Sequence, residues 1–265
     1  MENHEFLHYL LKQGKVAGYL SIPKVIETVI SRVYVFDQEN LVLKFYKRDN
    51  SWWNESMRDL STGKSRADFI RQDFVFNNFL NPKIYLSIKA VVIRSDQILL
   101  TDPVDDDDEL VIMMAKQDFN VVLTDVLFSQ SLVVSDYSVI GQEFARTKLA
   151  IPKSFLPKVT ANWHEQMLAR LQDLKSWIES EKNFPEDLRE KGLARLDMLL
   201  QKQKSVFQNV IQDDLFVCVD CNSENLIFDS GKLSFIDAYP PKDDWRIGVF
   251  DLDIHRTGAD IYAVA

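Results

Sequence analysis

The sequence predicts an α+β protein of two lobes, β-rich over residues 1–115 and mostly helical over residues 116–265. Three observations carry this. Short runs rich in Val, Ile, Phe and Tyr, bounded by turn-like polar residues, dominate the first half. In the second half Trp163, Met167, Leu171, Leu174 and Ile178 recur at helical steps, and residues 188–211 repeat the pattern after Pro185. A single island of β pattern, residues 215–236, interrupts the helices.

At 265 residues the chain can bury a sizeable core, and its 46% hydrophobic and 27% charged residues exclude the disordered classes. A formal net charge of −9 gives no bulk attraction for a phosphate backbone, which argues against nucleic acid as a partner. The same acidity repels a bare nucleotide, so a nucleotide has to arrive with its metal. No apolar run approaches the roughly 18–20 residues that span a bilayer, and residues 1–15 lack a signal peptide's basic region and apolar core. The expectation is a cytoplasmic protein with no membrane partner. Cys218 and Cys221 form a Cys-x-x-Cys spacing, shared by redox pairs and half zinc sites, but His4, His8, His164 and His255 lack metal-ligand spacing to complete one.

Along the first half, residues 2–13 read as a short amphipathic helix. Residues 28–36 and 41–46 read as a hairpin around Asp37-Gln-Glu-Asn40. Lys44 lies inside the second of these strands, where a lone charge is expensive unless paired. Residues 66–80 read as a helix with Phe69, Phe76 and Leu80 in one stripe, and Asp73 falls on that stripe. A carboxylate on an apolar face needs a cation, so Lys44 and Asp73 are candidates to meet. Strands follow at 83–93, 97–101 and 110–114, and the acidic run 105–109 between the last two reads as a solvated loop.

The β island holds the chemistry. If residues 226–228 and 232–236 pair around the turn Asp229-Ser-Gly231, Asn225 and Asp237 lie at the same end of the hairpin. Asp220 lies five positions before Asn225 on the preceding loop. A carboxylate that orients and deprotonates a hydroxyl, with an amide and a second carboxylate that hold magnesium, is the set phosphoryl transfer uses.

Cys218-Val-Asp220-Cys-Asn-Ser-Glu-Asn225, followed by Phe235-Ile-Asp237-Ala, resembles the His-Gly-Asp-x-x-x-x-Asn and metal-Asp motifs of the aminoglycoside phosphotransferase family, within it most closely a poorly characterised bacterial branch. Upstream, residues 26–36 with Leu43-Lys44 resemble the nucleotide-covering hairpin and phosphate-contacting lysine. Residues 69–82 resemble the helix carrying the lysine's acidic partner, and Val111-Ile-Met-Met114-Ala-Lys116 resembles the hinge that meets adenine. The resemblance covers most of residues 24–253, although helical pattern alone supports it between 125 and 212. It implies a protein-kinase-like fold and an ATP- and magnesium-dependent kinase that phosphorylates a hydroxyl of a small molecule. By it, Asp220 is the catalytic base, Asn225 and Asp237 are metal ligands, Lys44 and Asp73 serve the phosphates, and Met114 and Lys116 serve the base. Lys47 is the competitor for the lysine role.

The departures are equally specific. Cys218, Val219 and Asn222 stand where the motif has His, Gly and His, and Asp73 stands where glutamate is usual. No glycine occurs between Gly18 and Gly63, so the covering hairpin has no glycine-rich flap. The altered Cys218, Val219 and Asn222 motivate one alternative, a pseudokinase-like nucleotide-binding module with little turnover, and Cys218 and Cys221, which bracket Asp220, motivate another, redox control of that loop.

Overall fold

The computed structural model describes residues 3–104, 109–117, 121–155, 163–180, 185–209, 216–217, 219–241, 247–248 and 252–264. In chain order the elements are α1 (Asn3–Lys12), β1 (Lys24–Glu27), β2 (Ser31–Phe36), β3 (Leu41–Tyr46), α2 (Ser51–Ser56), α3 (Gly63–Leu80), β4 (Tyr85–Arg94), β5 (Gln97–Thr101) and β6 (Leu110–Ala115). Next come α4 (Leu123–Phe128), α5 (Val134–Ala150), α6 (Trp163–Ser180), α7 (Glu186–Asn209), β7 (Phe216–Val217), β8 (Leu226–Asp229), β9 (Lys232–Phe235), β10 (Ile247–Gly248) and α8 (Leu252–Val264). The chain forms two compact units: Met1–Lys148 with Ser223–Pro240, and Leu149–Asn222 with Pro241–Ala263, single C-terminal residues aside.

In the first unit the strands form a six-stranded sheet in the order β1-β2-β3-β6-β4-β5. Its paired neighbours are antiparallel throughout. Side chains alternate across a strand, and β3 is covered on both faces. Leu43 and Phe45 join Leu7, Leu10 and Leu11 of α1, whereas Tyr46 joins Phe69 and Ile70 of α3. Covering both faces explains the nearly continuous apolar run of β3, and it places Lys44 on the α3 side. Each fully buried Leu or Phe stabilises by about 1.5–3 kcal/mol, so this strand is anchored from both faces.

Helix α3 begins where the Thr62 hydroxyl accepts the Ser65 amide (3.1 Å), and it ends at Asn81, before Pro82. Its buried face carries Phe69, Ile70, Asp73, Phe76 and Asn77. Residues 28–30, expected as strand, form a turn: the Thr28 hydroxyl caps the Ser31 amide at 2.9 Å, and the Thr28 amide donates to the Ser31 carbonyl. The short α2, which periodicity did not announce, is capped by the Asn50 side chain accepting from Trp53 (2.9 Å). Hairpin β8–β9 pairs Leu226 with Phe235, and an isolated bridge joins Val122 to Ile227.

The second unit holds the pair α6 and α7, where Lys175 meets Asp197 at 2.7 Å, the two-stranded β7–β10 ribbon, and α8. Among the described residues no helix is long and apolar enough to cross a membrane.

Candidate active site

Lys44 is buried, its side chain only 4% exposed, and its ammonium is ion-paired with Asp237 while lying 3.9 Å from Asp73. It also sits 4.8 Å from the centroid of the Tyr46 ring. Burial alone would lower the pKa of this amine, but the carboxylates of Asp237 and then Asp73 outweigh it and hold the ammonium above its usual range. Asp73 does not share the benefit equally. Burial, helped by the nearby Asp237 carboxylate, pushes its carboxyl up to about 6 against the pull of Lys44 at 3.9 Å. The remaining support comes from the Tyr46 hydroxyl, which donates to Asp73 at 2.8 Å, and from the Asn77 amide at 2.9 Å.

The expected meeting of Lys44 and Asp73 thus takes place, with aspartate's shorter reach made up by Tyr46. Asp73 is 2% exposed and does not reach water. Lys47 is used differently. Its ammonium pairs with Glu27 (2.9 Å) and donates to the Thr28 carbonyl (2.5 Å), while the Asn50 amide donates to the Val29 carbonyl. The β1–β2 turn is therefore tied from behind by side chains, with no glycine in it.

Asn225 and Asp237 flank the β8–β9 hairpin at one end, and the Ile236 amide donates to the Asn225 carbonyl (2.9 Å). Both line a cavity of about 210 Å³ together with Lys44. Its apolar wall is Ile26, Val33, Val42, Ile84, Met114 and Ile236; Thr28, Gln117 and Glu224 add polar atoms. Met114 and Ala115 face this cavity, whereas the Lys116 side chain pairs with Asp37 at 2.5 Å and does not line it. Amide and carboxylate oxygens are hard donors that fit Mg2+, and the neighbouring ammonium fits an anionic phosphate.

Asp237 has a left-handed backbone (φ 52°), which aspartate tolerates better than most residues. Its amide donates to the Tyr85 hydroxyl (2.7 Å), and both backbone groups of Ala238 bond to the Asn77 side chain (2.7 and 3.0 Å). Sequence reasoning missed Tyr46, Asn77 and Tyr85. The available signals were the i+2 step from Lys44 to Tyr46 along a strand and the i+4 step from Asp73 to Asn77 along a helix.

In the second unit Asp220 also has a left-handed backbone (φ 62°), and its carboxylate pairs with the guanidinium of Arg256. The flanking amides of Val219 and Cys221 donate to the buried Asp253 carboxylate of α8 at 2.8 and 3.1 Å. Asp253 was not foreseen, because nothing in its local sequence marks it. Cys221 is buried; its suggested redox partner Cys218, and residues 105–108 of the acidic run, lie outside the described residues. Glu109, which closes that run, is not merely solvated: it pairs with Arg66 at 3.0 Å.

No protein-family model and no curated protein matches the chain. Among solved structures, the GDP and kanamycin complex of APH(2'')-IIia matches with a TM-score of 0.54 at 14% identity, over 96% of this chain and 78% of that one. The aminoglycoside phosphotransferase APH(3'')-Id from Streptomyces rimosus matches with a TM-score of 0.47 at 14% identity, covering 99% and 85% of the two chains. Choline kinase from Cryptosporidium parvum matches with a TM-score of 0.43 at 12% identity, covering 90% and 66%. The chain has the protein-kinase-like α+β fold of the aminoglycoside phosphotransferases.

Proposed function

We propose that this protein is an ATP- and magnesium-dependent phosphotransferase acting on a hydroxyl group of a small molecule. The observation that carries the proposal is one cavity in which an apolar wall meets Lys44, Asn225 and Asp237. The wall suits a flat base, with Met114 and the backbone of the 114–116 segment beside it. Lys44, steadied by Asp73, neutralises phosphate oxygens, while Asn225 and Asp237 hold the magnesium ion. That ion would supply charge neutralisation to the transferred phosphoryl group. Asp220 accepts the proton of the acceptor hydroxyl, and Asp253 fixes the backbone that presents it. Nucleotide binding falls to residues 1–115 with the β8–β9 hairpin, and acceptor binding to the helices beyond. Dependence on ATP supports a cytoplasmic setting for it.

The test is ATP consumption with Mg2+ across a panel of small-molecule alcohols, comparing wild type with Asp220→Asn. Turnover that persists unchanged in the variant removes Asp220 as the base. One observation favours a second reading, a nucleotide-binding module with little turnover: the Asp220 carboxylate is engaged by Arg256. Nucleotide binding without transfer to any alcohol in the panel would select that reading.

A further inference from the structure

Asn77 is completely buried (0% exposed), and its amide is bonded to backbone far along the chain. Its Oδ1 accepts from the Ala238 N–H at 3.0 Å, and its Nδ2 donates to the Ala238 carbonyl at 2.7 Å. One side chain thereby satisfies both backbone groups of a residue 161 positions away. Immediately before it, the Asp237 N–H donates to the Tyr85 hydroxyl at 2.7 Å.

The bonds to the Asp237 and Ala238 amides act on the two peptide planes that meet at the Asp237 Cα, and the bond to the Ala238 carbonyl acts on the next plane, 238–239. Tyr85 holds the plane of peptide 236–237, and Asn77 holds the plane of peptide 237–238. Fixing both planes fixes both soft torsions of Asp237, and so the direction of its Cα–Cβ bond. The conformation so held is left-handed (φ 52°), one that a non-glycine residue adopts at a cost and keeps only where its surroundings impose it. The Asn77 Nδ2 also donates to Asp73 Oδ1 (2.9 Å), on the helical turn before it.

We infer that Asn77 is a positioning residue for the site: it aims the Asp237 carboxylate at the divalent ion, and ties that aim to the helix carrying the partner of Lys44. Asn77 is not among the residues lining the cavity. The inference rests on the functional reading above, since it presumes that Asp237 holds a metal.

The test uses two variants of the full chain. Asn77→Leu removes every polar contact, and Asn77→Asp keeps an acceptor for the Ala238 amide while losing the donor to its carbonyl. Mn2+ binding in the presence of ADP is followed by electron paramagnetic resonance, adenosine binding without metal by calorimetry, and amide exchange over residues 235–240 by mass spectrometry. Loss of an outer partner of a metal ligand costs about 10–100-fold in metal affinity, so Asn77→Leu should weaken Mn2+ by that factor. Adenosine binding should stay within about twofold of wild type, exchange at 237–238 should accelerate, and Asn77→Asp should fall between wild type and Asn77→Leu. If Asn77→Leu fails to fold, as lost adenosine binding would reveal, Asn77→Asp carries the comparison. A wild type that binds Mn2+ and folded variants that bind it equally overturn this inference alone. A wild type that takes up no Mn2+ with ADP overturns the functional reading, and this inference with it.

Discussion

Lys44 and Asp237, 193 residues apart in sequence, are joined in one ion pair, with Asp73 3.9 Å from the same ammonium. One cation thus stands between two carboxylates, of which Asp73 is buried and the Asp237 side chain is about half exposed.

Removing the cation should expose that dependence. Lys44→Met leaves Asp73 buried without its counter-charge, and breaking a buried pair from one side costs about 3–5 kcal/mol. Urea unfolding should show that loss near pH 8, and the double variant Lys44→Met with Asp73→Asn should recover much of it. A single variant as stable as wild type would mean that the pair contributes nothing to folding.

Asp73 also gives stability a pH dependence of unusual sign for an acid. Burial holds its native pKa near 6, above the ordinary 3.8, so the native state keeps a proton that the unfolded chain releases. Its contribution is complete below about pH 4 and is lost as pH rises through 6. The stability difference between wild type and Asp73→Asn should therefore shift against wild type across that window, in chemical denaturation at several pH values. A pH-independent difference contradicts the assignment.

His8 behaves in the opposite sense. Burial, followed by the nearby His4, lowers its pKa to about 3, and its Nδ1 lies 2.8 Å from the Tyr34 hydroxyl. A depressed pKa contributes stability above 6.5 that is lost as pH falls towards 3, at no more than about 1.4 kcal/mol per pH unit. His8→Gln should flatten this acid limb, whatever it costs at neutral pH. An acid limb of unchanged slope would show that His8 titrates normally.

Much of the site is legible in the sequence. The strand of Lys44 follows from a β-branched and aromatic run bounded by turn residues, the stripe carrying Asp73 from period-3.6 spacing, and the hairpin that brings Asn225 and Asp237 together from its turn at 229–231, because each leaves a local signature. What stayed hidden was long-range. Asn77 earns its place through Ala238, and Asp253 through the amides of Val219 and Cys221, and no local periodicity encodes such partners. Lys44 and Lys47 are likewise equivalent by composition. The fold bears out the expected approach of Lys44 to Asp73 and shows Lys47 reaching the Thr28 carbonyl instead.

Asp253 supports the backbone around Asp220 and should be sensitive to truncation. Asp253→Ala leaves two buried amides without their acceptor, at about 1–3 kcal/mol each. Thermal unfolding should register the loss, and any phosphotransfer activity should fall through kcat with little change in nucleotide KM. A variant with native stability would show that water replaces the carboxylate.

The most direct test of the account is calorimetric titration of the wild-type chain with a non-hydrolysable ATP analogue, once with Mg2+ and once with EDTA. The account predicts saturable binding that is strong with the metal and much weaker without it, and that Lys44→Ala abolishes. No binding under either condition, or equal affinity with and without metal, would contradict it.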